Sequence, residues 1–71
     1  MRRKETRPQY YRLRRILEMV RKGARTGEFP NAGDFTRELE VTRRTVLRDL
    51  DFLRSEENAP IEYDASRKGY Q

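Results

Sequence analysis

The chain has neither cysteine nor histidine. Disulfides, thiolate chemistry and any Cys/His zinc site are therefore excluded, and the redox state of its compartment cannot be read. Long apolar runs are missing too. None approaches the ~20 residues that a membrane span needs, and no signal-peptide pattern follows the basic start. These absences predict a soluble, cytoplasmic protein with no membrane partner. Leu, Ile, Val and Phe make up only 14 of 71 residues, and 41% of residues are charged. Both values lie near the level at which a chain stays disordered. Arrangement argues for folding, because the few apolar residues fall at helical and strand spacings. There is also no metal-ligand cluster, no phosphate-binding loop and no room for a catalytic cleft, so neither enzymatic activity nor a cofactor or metal is expected. Asp49, Asp51, Glu56 and Glu57 could pass for paired carboxylates, but nothing that catalysis needs accompanies them.

At 71 residues this is one small domain or part of something larger. A core of this size rarely supplies more than about 3–5 kcal/mol, so every large apolar residue should have a place in it. The net charge is +5 and unevenly spread. Residues 1–30 hold ten bases and three acids, whereas residues 31–71 hold seven bases and nine acids. A basic balance makes a polyanion a plausible partner, though charge speaks to association rather than to fold.

Residues 1–7, MRRKETR, have no apolar pattern after Met1 and are expected to form a flexible basic arm. Pro8 suits the first turn of a helix. Leu13, Ile16, Leu17 and Val20 then fall at i, i+3, i+4 and i+7, one face of a helix over about 8–22. Tyr10 extends that stripe, Met19 flanks it, and Gly23 is expected to end it behind Arg21 and Lys22. GARTGEFP reads as a loop. Asn31 is a good N-cap for a second helix over about 32–39, with Asp34 placed to complete a capping box. Phe35 and Leu39 share its apolar face, and Gly33 weakens it by about 1 kcal/mol relative to alanine. Thr42 can cap a third helix over about 43–55. So short a gap leaves room only for a tight turn, which makes the pair a helix-turn-helix. SEENAP is a polar loop; IEYD alternates like a strand, ASRKG is a turn, and YQ begins a returning strand. That places a hairpin over about 60–71, with Ile61, Tyr63 and Tyr70 expected to pack it onto the helices. The chain stops as the returning strand starts, which suggests either that the sequence is a cut piece or that a downstream domain is missing.

The third helix, within VTRRTVLRDLDFLR, must both bury a face and carry arginines. At 100° per residue, Val46, Leu50 and Leu53 lie within about 60° of one another, on the side that should be buried. Arg44 and Arg48 project from the opposite side, with Ser55 behind them. Arg43 and Leu47 lie on one flank; Thr45, Asp49 and Phe52 lie on the other. The helix start thus offers Thr42, Arg43, Arg44, Thr45 and Arg48 to the outside, as a recognition helix would. Arginine can donate two hydrogen bonds to guanine O6 and N7, while threonine hydroxyls and free helix N–H groups can bind phosphate. The bland reading is a solvated face on which Asp51 neighbours Arg44 and Arg48.

FTRELEVTRRTVLRDLDFLR followed by APIEYDASRKGY resembles the DeoR-like winged helix-turn-helix at the N-terminus of bacterial WYL-domain transcription regulators. The likeness runs from about Tyr10 to Gln71. It implies a mainly α fold, three helices and a small β-hairpin wing, whose third helix enters the major groove of double-stranded DNA. It also implies DNA contacts at Thr42, Arg43, Arg44, Thr45 and Arg48, and a wing tip at Ser66, Arg67 and Lys68. Regulators of this kind act as homodimers, here through regions outside this chain. Two features depart from the family: the loop before the second helix is long and Gly-rich, and the ligand-sensing WYL domain is absent. A winged-helix module that binds protein and an RNA-binding winged helix are the competing readings.

Overall fold

Three helices and one hairpin follow one another: α1 (Gln9–Thr26), α2 (Ala32–Leu39), α3 (Arg43–Glu56), β1 (Tyr63–Asp64) and β2 (Gly69–Tyr70). The computed structural model describes residues 8–71, so the basic arm expected at 1–7 lies outside the described residues. No helix among them is long and apolar enough to cross a membrane.

The first helix runs a full turn past the expected stop. Gly23 is buried, and a Cβ there would lie 2.9 Å from Cδ of Pro30 and 3.0 Å from the carbonyl oxygen of Glu28. The missing side chain lets the following loop fold back against α1; it does not end the helix. Termination falls to Gly27, which has a left-handed φ of 86° and donates its N–H to the Gly23 carbonyl at 2.7 Å.

The core is a single cluster of Ile16 and Val20 from α1, Phe35 and Leu39 from α2, Val46, Leu50 and Leu53 from α3, and Ile61. Leu13 and Leu17 border it and are only partly buried. Tyr10 does not extend the stripe, for its side chain is 72% exposed. At 100° per residue it lies about 100° around the helix from the line through Ile16 and Val20, which turns it to solvent.

The two strands pair antiparallel, with Tyr63 opposite Tyr70 and Asp64 opposite Gly69. Glu62 and Gln71 exchange both backbone hydrogen bonds at 2.9 Å and extend the ladder by one pair. The Tyr70 N–H donates to the Pro30 carbonyl at 2.7 Å, which fastens the hairpin to the loop between α1 and α2. Tyr70 packs on Phe35 with ring centroids 6.0 Å apart. Tyr63 departs from expectation. Its ring and that of Tyr70 meet edge to face with centroids 5.1 Å apart, and it stays 52% exposed, so Ile61 and Tyr70 dock the hairpin and Tyr63 lies at the exposed rim. The architecture is mainly α with a small β-hairpin, a three-helix winged helix-turn-helix.

Candidate nucleic-acid interface

The junction that sets α3 against α2 is built from local chemistry. At the start of α2, the Asn31 side chain accepts from the Asp34 N–H at 2.8 Å, and Asp34 accepts from the Asn31 N–H at 2.9 Å. This reciprocal box satisfies two of the donors that a helix start leaves open. Glu40 then closes α2 in the left-handed region, φ 56°, with its N–H donating to the Thr36 carbonyl. Val41 and Thr42 complete the turn. Thr42 caps α3, its Oγ1 accepting from the Thr45 N–H at 3.2 Å and approaching Thr45 Oγ1 at 3.2 Å.

Beyond this cap Arg43, Arg44 and Arg48 are exposed, and Thr45 is half-buried. None of the three arginines makes an ion pair with a described residue. Asp51 does not neutralise Arg44 or Arg48; it pairs with Arg54 at 2.9 Å. Arg54 also reaches the Ile61 carbonyl at 3.4 Å. The outward face of α3 is therefore cationic, as a solvated face balanced by its own acids would not be. Leu47 belongs to it as well, 40% exposed beside the arginines. Helical spacing puts Leu47 on a flank, and its angle of about 60° from Arg44 is compatible with this exposure.

Asp49 overturns another expectation. Spacing puts it on a helix flank, outside the apolar stripe, but it is buried, 1% exposed. Its partner is Arg12 of α1, whose Nε lies 2.6 Å from Oδ2 and whose Nη2 lies 3.2 Å from Oδ1. Gln9 adds a longer contact of 3.5 Å from Nε2 to Oδ1. An acid on a helix flank reads as solvated because sequence spacing cannot reveal a counter-charge 37 residues away.

Two clefts reach α3, one along a flank and one at its first residue. One, of about 290 Å³, lies between α1 and α3 and is lined by Gln9, Arg12, Thr45, Arg48, Asp49 and Phe52. The other, of about 660 Å³, brings Arg43 together with the start of α2 and with Tyr63 of the hairpin. Arg37 also lines it and is held in an ion pair with Asp34. Tyr63 is thus a candidate contact that strand alternation alone assigns to packing.

The hairpin tip is more constrained than its composition suggests. Ser66 donates its hydroxyl to Asp64 Oδ1 at 2.6 Å and its N–H to the same oxygen at 2.9 Å. The Arg67 N–H donates there too, at 3.2 Å. These bonds hold the Asp64 carboxyl below the usual carboxylate range, the Ser66 hydroxyl contributing most and the Arg67 N–H next. The Arg67 guanidinium stacks 5.1 Å from the ring centroid of Phe29. Lys68 is exposed, takes a left-handed φ of 56°, and has no ion pair among the described residues. Of the three tip residues, Ser66 and Arg67 make contacts inside the fold, and Lys68 points its charge outward without a partner.

Two short helices joined by a tight turn, the second with an unpaired cationic face and a hairpin beside it, define the helix-turn-helix class of DNA-binding domain. A family model described as an HTH domain matches residues 12–71, and the chain belongs to that family. That family is one of DNA-binding regulatory domains. No curated protein and no solved structure matches the chain.

Proposed function

We propose that residues 8–71 form a unit that reads duplex DNA by sequence, with α3 in the major groove and the hairpin on the flanking backbone. One observation carries this reading. Arg43, Arg44 and Arg48 stand exposed on the outward face of α3, with no ion pair among the described residues. A helix seated in a major groove meets base edges and the phosphates that flank them, and an outward face of uncompensated arginines suits that placement. Arg44 and Arg48 are assigned to base edges, Thr42, Arg43 and Thr45 to phosphate or to the first bases met, and Leu47 to apolar contact such as a thymine methyl. On the wing, Lys68 is assigned to phosphate as a point charge, Arg67 shares its cation with Phe29, and Ser66 retains only acceptor capacity.

The likeness to DeoR-like domains of WYL-type regulators supports the finer statement that this is the DNA-binding part of a bacterial transcription regulator. Such a regulator would pair two copies through regions outside this chain and read half-sites about 34–36 Å apart or a multiple of that. The test is a titration of the protein against duplex DNA, a mismatched duplex and single-stranded RNA at two salt concentrations. Weak, salt-sensitive binding that favours a selected duplex is expected of this chain without its partner copy. Preference for the single-stranded RNA, or no nucleic-acid binding at all, would overturn the reading in favour of an RNA-binding or protein-binding winged helix.

A further inference from the structure

Asp49 is the one fully buried charged side chain among the described residues, and it lies on the helix proposed to read DNA. Removing a carboxylate from water is costly, and a well-packed apolar pair in place of a buried ion pair often folds at least as stably. Stability alone therefore does not account for an acid here. Orientation does. The contacts of Val46, Leu50 and Leu53 with the core are non-directional, so burying that side sets the rotation of α3 about its axis only coarsely. A guanidinium that meets both oxygens of one carboxylate, at 2.6 and 3.2 Å, constrains distance and angle together. Asp49 directly follows Arg48 and lies one turn beyond Thr45. All three line the cleft between α1 and α3, with Arg12 and Gln9 on its other side.

The geometry points to Arg12 and Asp49 as the positioning residues of DNA recognition: their two-pronged pair sets the rotation of α3, and so aims Arg44 and Arg48 at base edges. Arg12 also neutralises a carboxylate that would otherwise lie beside the phosphate track. The inference rests on the reading of α3 as the recognition helix. It predicts that breaking the pair costs sequence discrimination more than it costs folding.

A duplex selected from a random pool by the unaltered protein, and a scrambled duplex of the same composition, serve as probes. The double variant Arg12→Met with Asp49→Leu removes both charges of the pair, so neither is left facing an absent partner. It is expected to melt at or above the unaltered protein and to keep its affinity for the scrambled duplex. Its preference for the selected duplex should fall about tenfold, the order of one lost bidentate base contact. The single variant Arg12→Lys keeps a cation opposite Asp49 but has no fork, and it decides the matter if the double variant does not fold. It too should lose preference while retaining scrambled-duplex binding. A folded variant with the unaltered preference, or with an equal loss on both duplexes, overturns the positioning role. Absence of any preference in the unaltered protein would instead overturn the recognition-helix reading, and this inference with it.

Discussion

A β-carbon on Gly69 would lie 2.4 Å from the carbonyl oxygen of Phe29, so the hairpin can meet the loop between α1 and α2 only because residue 69 has no side chain. The obstacle is backbone, which cannot swing aside as a flexible side chain could. At this contact the wing is joined to the helices, and Tyr70 adds its hydrogen bond to Pro30 one residue on.

Gly69→Ala should therefore destabilise the fold by about 1–3 kcal/mol, as overpacking does in well-filled sites. Chemical denaturation measures the loss, and amide shifts should change first at Phe29, Pro30 and Tyr70. An unchanged midpoint would mean that the wing is not seated as described.

Leu50 is fully buried in the middle of α3 and touches the core formed by all three helices. Leu50→Ala should cost about 2–5 kcal/mol. That is comparable to the whole stability expected of so small a domain, so much of the protein should be unfolded at room temperature. A thermal melt indistinguishable from that of the unaltered chain would contradict the core assignment.

Arg44 and Lys68 are both exposed and both lack a counter-ion among the described residues, yet their proposed roles differ. Arg44→Ala should cost about 1–3 kcal/mol on a preferred duplex and blur preference at one position. Lys68→Ala should weaken every duplex about equally and reduce the log–log salt slope by about 1. Alanine shares lysine's strain at the left-handed φ of residue 68, so the substitution isolates the charge. Affinities across a salt series separate the two. Equal weakening of both duplexes by Arg44→Ala would make Arg44 a phosphate contact.

The Asp64 carboxylate accepts from Ser66 and Arg67 within the hairpin turn and from the Gln71 side chain, and the Ser66 and Arg67 bonds lower its pKa in the folded state. A lowered folded pKa means that the ionised form binds the fold better than the protonated form does. The stabilisation is fully present above the unfolded carboxylate pKa and disappears as pH falls through the lower folded value. A carboxyl ¹³C titration should show Asp64 protonating at lower pH than a free aspartate, with the Ser66 and Arg67 amide signals moving together with it. Asp64→Asn should remove that coupled movement.

Much of this protein is encoded locally. The i, i+3, i+4 spacing around Ile16 and Val20, the Asn31–Asp34 box and the Thr42 cap define helices through contacts only three or four residues apart, and such contacts leave a periodic trace. The same periodicity sends Arg44 and Arg48 to the side opposite Val46, Leu50 and Leu53, so the outward cationic face is legible in the spacing of residues alone. Tertiary structure decided what periodicity cannot encode. Gly23 has the composition of a helix stop, but whether a glycine serves a positive φ or a close approach depends on what comes near it, and here that is Pro30. Asp49 has the composition of a solvated flank, and its burial required a guanidinium from α1, distant in sequence and adjacent in space. Tyr63 and Tyr70 occupy paired positions on one face of a short hairpin, and only the seat of that hairpin against Phe29 and Pro30 determined which ring reaches the core. Spacing specifies which side of an element is apolar; the packing of elements against one another specifies what each remaining polar or glycine residue is for.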